Sequence, residues 1–419
     1  MTKRFLITAA IAATCTLFGI GMVVGGQAIP EAPAGFDGQT NGSVPQTTMD
    51  GAAAIFTELE QPTPDGLGPV YNAVSCVDCH QSVAVGGASQ VLEFRAGHND
   101  NSRPSWFVSR RHPFDTNGST GTFVAATAIT ANGTAIPDRS LINQRAICAD
   151  AVEHLTDADN IRASRLSLSV LGDGFVEAVP DSTFLAIAAK NHGEAIQVPV
   201  LEANGSVTEV GKFGWKDQHA SLLSFSGDAY VNEMGVTNTL FPDESTLVCQ
   251  PAGMTSPNDN DDDIAQFAAF MRATMVPPRG PITPAVMEGQ AIFEQIGCNN
   301  CHVETLMTAP SGTAIHGGMM TISAAIGGKQ IHPFGDYLLH DIGTGDGIVQ
   351  NGPADTQYKL RTMPLWGLRT RTQLMHDAQS STYSDAIGRH AGEAAGETSK
   401  FNQLTPAQKS LLYAFLGSL

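Results

Sequence analysis

Two stretches of the chain repeat one pattern of apolar and polar positions. Met49-Asp-Gly-Ala-Ala-Ala-Ile-Phe56 and Met287-Glu-Gly-Gln-Ala-Ile-Phe293 both read as short amphipathic helices. Each half also ends on a helix pattern. The first covers about Asp262–Met275, with Ile264, Phe267, Phe270 and Met271 on one face. The second opens with Thr405 as N-cap and Pro406 at the first helical position, and turns Leu411, Leu412, Phe415, Leu416 and Leu419 inward. Between the halves, Pro277-Pro278-Arg279-Gly280-Pro281 stops one helix and marks a linker. Residues 49–276 and 282–419 are therefore the expected domains, with residues 29–48 as a flexible lead rich in Pro, Gly, Gln and Thr.

The first half is larger because of an insertion before its closing helix. There, Ala195–Leu201 and Ser206–Phe213 alternate around Asn204-Gly205, which predicts a β-hairpin. Asp181–Asn191 reads as a helix, and so does Tyr383–Gly392 in the second half. The fold class expected is mainly α, with a small β insertion in the first half.

Composition narrows the function classes. The chain has 419 residues, 42% of them hydrophobic, enough for two packed domains. Lys and Arg number 23 against 41 Asp and Glu, a formal charge of −18 that repels nucleic acid and anionic lipid. A small cationic carrier protein would be steered toward it. Lys3 and Arg4 precede an apolar run from Phe5 to Val24 and then Gly-Gly-Gln-Ala28. That order reads as an export signal over residues 1–28, hence a periplasmic protein. The run is nearly long enough to span a membrane, so an uncleaved anchor is the alternative.

Of the seven cysteines, Cys15 lies within the export segment, and four of the other six carry a motif: Cys76-Val-Asp-Cys79-His80 and Cys298-Asn-Asn-Cys301-His302. Covalent haem attachment needs this spacing, since two thiols add to two vinyl groups and the next residue, His, ligates the iron. A redox thiol pair has no use for a His after both pairs, and zinc would have to assemble from distant ones. Two covalently bound haem c groups are therefore expected, with His80 and His302 as proximal ligands. A helix, an attachment site and a closing helix make the frame of a class I cytochrome c domain, here occurring twice, with the two domains facing each other. Cys148 and Cys249 remain. A bridge between them would close about 100 residues and stabilise by roughly 4–5 kcal/mol in the chain-entropy model.

The wording around the two motifs resembles the di-haem oxidoreductase ("thiol oxidoreductase", peroxidase-like) family, related to bacterial di-haem cytochrome c peroxidases and to MauG. The stretches that carry this run in family order: Gly68 to His80, Leu171-Gly-Asp-Gly-Phe-Val-Glu-Ala-Val-Pro180, Gly211-Lys-Phe-Gly-Trp-Lys216 and Asn232-Glu-Met-Gly-Val236. Leu338-Leu-His-Asp-Ile-Gly343, Pro364-Leu-Trp-Gly-Leu368, Met375-His-Asp377 and Arg389-His-Ala-Gly-Glu-Ala394 complete them. Ala378 departs from the pattern, where the family usually has Gly.

The resemblance implies a peroxidase-like oxidoreductase in which one haem takes electrons from a small carrier protein and the other meets an oxidant such as hydrogen peroxide. For the C-terminal haem it points to His390 as distal ligand, with Met375 as rival. For the N-terminal haem, His98 lies 18 residues after His80, and His112, in Arg110-Arg-His-Pro, is the alternative, Arg110 and Arg111 then being free to pair with propionates. Glu177 is the catalytic carboxylate expected, because its apolar flanks would raise its pKa and leave it able to move a proton. Trp215 and Trp366 are candidate relays between the haems. The Asp259–Asp263 run reads as a solvated loop leading into the following helix, with a calcium site as the second reading. Two other functions fit the same motifs: a pure electron-transfer cytochrome with both irons six-coordinate, and MauG-like oxidation of a partner protein.

Overall fold

The computed structural model describes residues 29–100, 122–125, 128–130, 135–136, 139–251, 253, 256–259 and 262–419. The export segment at residues 1–28, His112 with Arg110 and Arg111, and part of the acidic run lie outside these residues. Nine α-helices occur among the described residues: α1 (Gln46–Phe56), α2 (Asp173–Glu177), α3 (Asp181–Asn191), α4 (Leu222–Met234), α5 (Asp263–Ala273), α6 (Pro284–Ile296), α7 (Tyr383–Gly388), α8 (Ala395–Gln403) and α9 (Pro406–Leu416). None is long and apolar enough to cross a membrane.

The helix ends follow local chemistry. Thr283 caps α6, accepting from the Val286 N–H at 3.3 Å, with Pro284 fixing the first turn. At α9, Thr405 and Gln408 form a reciprocal capping box. The cap of α5 differs from expectation: Asp262 makes no side-chain cap, and Asp259 accepts instead from the Asp263 N–H at 3.1 Å. Asp259 thus has a structural task within the acidic run. The α7 pattern also ends early, at Gly388, so His390 sits just beyond the helix.

The repeated patterns pack alike. α1 lies against α5 and α6 against α9. Phe56, the last residue of the first repeat, packs on Phe270 with ring centroids 4.6 Å apart, and Phe293 packs on Phe415 at 5.1 Å. At Gly289 the crossing is so close that a Cβ would sit 2.0 Å from the Leu411 carbonyl oxygen.

The expectation of a mainly α fold needs correcting, because helix, 3₁₀ turns included, amounts to only 33% of the described residues. The insertion holds more strand than the hairpin alone. Strand β1 (Leu92–Asp100) pairs antiparallel with β2 (Thr122–Ala125), β3 (Leu141–Ile142) and β4 (Ile161–Leu166), in registers including Leu92↔Leu166 and Phe94↔Ile142. The predicted hairpin forms as β5 (Gln197–Pro199) and β6 (Thr208–Val210), with Asn204 and Gly205 at φ 54° and 62° in its turn. Cys148 and Cys249 are bridged, their Cα atoms 6.4 Å apart.

The two halves do not keep separate cores. The larger core gathers Phe56, Phe175, Phe267 and Phe270 from the first half, and Leu306, Ile322, Ile331 and Trp366 from the second. A smaller core around Phe293, Phe334 and Phe415 belongs to the second half.

Candidate functional site

The two Cys-x-x-Cys-His segments fold identically at short range. Each opens as a 3₁₀ turn, at Cys76–Asp78 and Cys298–Asn300, and each closes with the His N–H donating to the first Cys carbonyl at 3.0 Å. In the second half, Gly297 ends α6 at φ 97°, a left-handed turn that delivers Cys298 directly from the helix. In both halves the repeat's Phe sits against the motif's His: Phe56 to His80 at 6.3 Å, Phe293 to His302 at 6.2 Å between ring centroids.

All four motif thiols are unbridged. Burial pushes Cys79 and Cys298 up to about 12, so these are not the activated thiolates of a redox pair. Burial also pushes His80 and His302 down to about 4, which keeps both imidazoles neutral, the form that ligates metal. His302 Nδ1 lies 3.0 Å from the Phe334 carbonyl, which fixes the tautomer and frees Nε2.

Each motif lines its own cavity. The first, about 170 Å³, is walled by Cys76, Cys79, His80 and residues of α4, α5, β1 and β4. The second, about 860 Å³, is walled by Cys298, Cys301 and His302 together with residues from 360–376 and 383–416. Leu166, Leu168, Trp215 and Arg361 line both, so a single wall divides them. Trp215 is held in that wall by its Nε1–H donating to the Leu166 carbonyl at 2.8 Å. Trp366 lines neither cavity and packs in the larger core.

The cavities differ in the side chains that line them beside the motif histidine. The second contains His390 and Met375, as well as His192, His340 and His376. His390 Nδ1 is 2.8 Å from the Ala386 carbonyl, the same anchoring that His302 has, again leaving Nε2 free. The first contains no histidine but His80 among the described residues. His98 is on β1, bound to Asp159 at 3.1 Å, and is not part of the cavity wall.

Glu177 is also outside both cavities, and its proposed acid–base state is reversed. Burial alone would raise its pKa, but Arg272 donates to both its oxygens at 2.7 and 2.8 Å, and His316 Nε2 stands 3.1 Å away. Together these hold the carboxyl well below the usual range, as an ionised partner in a buried network. The carboxyls that do line the first cavity are Glu93, Asp173, Asp228 and Glu233. Glu93 and Glu233 are split in character. Arg95, donating at 2.6 Å, and Arg165 overcome the burial of Glu93 and keep it ionised. Burial, reinforced by that neighbouring charge, pushes Glu233 up to about 8, while Asn72 donates to it at 2.9 Å. Burial pushes Asp173 up to about 7. Sequence reasoning missed this group; its signal was charged residues alternating along Leu92-Glu-Phe-Arg-Ala96.

Haem fits both sites: neutral histidines, paired thiols, largely apolar walls and buried guanidinium groups with an unused donor. Arg165 Nη2 in the first cavity and Arg371 Nη2 in the second have no hydrogen-bond partner. The family model described as "Di-haem oxidoreductase, putative peroxidase" matches residues 143–419, about two thirds of the chain. The chain belongs to the di-haem oxidoreductase family. No curated protein matches this di-haem oxidoreductase significantly. Among solved structures it is similar to the hydrazine synthase of Kuenenia stuttgartiensis, at 12% identity and a TM-score of 0.40 over 100% of both chains. It is also similar to a MauG-like protein associated with microbial copper homeostasis, at 20% identity and TM-score 0.27, covering 40% of this chain and 55% of that one. A third is the diheme peroxidase BthA from Burkholderia thailandensis, at 16% identity and TM-score 0.26, covering 48% and 60%. The family match, not these distant likenesses, carries the assignment.

Proposed function

We propose that this di-haem oxidoreductase is an exported peroxidase-like enzyme. Each cavity takes one haem c, bound through Cys76, Cys79 and His80 in the first and Cys298, Cys301 and His302 in the second. The observation that carries the reading is the contrast across the Trp215 wall. The second cavity supplies a second anchored histidine, His390, which with His302 would hold a haem that relays electrons. The first supplies carboxyl groups in place of a histidine, suited to an open site that meets peroxide.

Haem iron, when bound, supplies one-electron transfer and reduction of the peroxide O–O bond. The chain's own residues hold and move the protons. Reducing one peroxide to two waters consumes two electrons and two protons. Glu233, protonated near neutral pH and held by Asn72, can donate a proton, while ionised Glu93 can accept one. Asp173 is the second candidate. Trp215 lies where an electron would cross between the sites. The acidic chain suits a small cationic carrier protein as donor. The basic and apolar residues 3–24 and the Cys148–Cys249 bridge support export to an oxidising compartment, the periplasm, with retention at the membrane only if the N-terminal segment stays uncleaved.

Ferric and half-reduced spectra, with haem stoichiometry after unfolding, test this reading. Two haems per chain should survive unfolding, and the half-reduced protein should bind cyanide at one haem and turn over peroxide. Low-spin iron throughout, with no cyanide binding in either state, would leave a pure electron carrier instead.

A further inference from the structure

The wall between the cavities holds more positive charge than its neighbours neutralise. Arg361 lines both cavities and is almost fully buried. Its Nη1 donates to the Lys212 carbonyl at 2.8 Å and its Nη2 reaches only the Met363 sulfur at 3.6 Å, while its Nε has no hydrogen bond. Asp217 lies 3.6 Å from that Nε, but burial pushes its carboxyl well up, so it is a weak counter-ion. Arg371 lines the second cavity, and its Nη2 is buried and unpartnered. Burial and the like charge of Arg361 push its guanidinium down to about 10. The Arg361 guanidinium stands 5.4 Å from the centre of the Tyr337 ring. Tyr337 is 0% exposed and its hydroxyl has no partner either. Buried donors left unsatisfied are costly, more so when charged, and a ligand that completes them removes that cost.

We propose that Arg361 and Arg371 form one carboxylate clamp that takes haem propionates, with Arg361 shared between the two sites. The chemistry of the donors selects the ligand class. Guanidinium groups recognise carboxylates, and the cavities these two line are the ones that carry the Cys-x-x-Cys-His motifs. The proposal rests on the di-haem reading. It adds that the two haems are tied electrostatically through one side chain. A cation beside a haem favours its reduced, less positive form, so losing that cation lowers the midpoint potential. Arg371 should act on the C-terminal haem alone, and Arg361 on both.

Redox titration of the loaded protein, followed in the visible spectrum, tests the clamp. Arg371→Gln should lower the potential of the C-terminal haem only, by about tenfold in the one-electron equilibrium, or 59 mV. Arg361→Gln should lower both, and Arg371→Lys should stay close to wild type. Loss of the C-terminal haem from Arg371→Gln but not from Arg371→Lys would equally support the clamp. Unchanged potentials in both Gln variants, or equal haem loss in the Gln and Lys variants, would overturn it. Fewer than two haems in the wild type would instead overturn the di-haem reading itself.

Discussion

The His390 imidazole gives its Nδ1 side to the Ala386 carbonyl, 2.8 Å away, and keeps its Nε2 side for the second cavity. His390→Ala should therefore convert the C-terminal haem from low spin to high spin and raise its potential, since a bis-histidine iron is the lower-potential kind. The ferric absorption spectrum and a redox titration check this. An unchanged spectrum would transfer the ligand role to Met375.

Glu177→Gln separates a catalytic from a structural carboxylate. It leaves the Arg272 charge without its counter-ion in the interior, and breaking a buried pair of this kind costs about 3–5 kcal/mol. The unfolding free energy should fall by about that amount, read from denaturant titration, while peroxide turnover per folded, haem-loaded molecule stays near wild type. Glu233→Gln should do the reverse: small loss of stability, slower turnover, and a shifted pH–rate profile.

The same network sets a pH window. His316 lies between Glu177 and Glu209, and although burial opposes it, their hydrogen bonds push its pKa up to about 9. A histidine raised in the folded state adds stability that is complete below its unfolded pKa of about 6.5 and is lost as pH rises through the folded value. Unfolding midpoints should drop between roughly pH 6.5 and 9. His316→Gln should flatten that slope, and an equal slope in the variant would exclude His316 as its source.

Trp215→Leu should slow electron transfer between the haems while leaving both ferric spectra in place. Flash reduction of one haem, followed by the spectrum of the other, measures it. Trp366→Leu should instead cost stability, since its ring is core packing.

Much of this site was legible along the chain because its signals are local. The two Cys-x-x-Cys-His motifs, the Thr405 capping box and the Asn204-Gly205 hairpin each lie within a few residues, and the capping box and hairpin form as their patterns require. The failures are long-range. The apolar flanks of Glu177 suggested a raised pKa, but its partners Arg272 and His316 stand 95 and 139 residues away in sequence. Glu93 and Arg95 went unread because nothing nearby in the sequence shows that β1 runs along a cavity wall. The spacing of His98 from His80 matched a family habit, yet the strand carries its ring to Asp159 instead.

The core that Phe56 and Phe270 share with Leu306, Ile331 and Trp366 changes what the prolyl linker at Pro277–Pro281 means. It joins two stretches of sequence that are already one body. A chain nicked at that linker should run as a single complex of two fragments, and neither fragment expressed alone should fold around its haem.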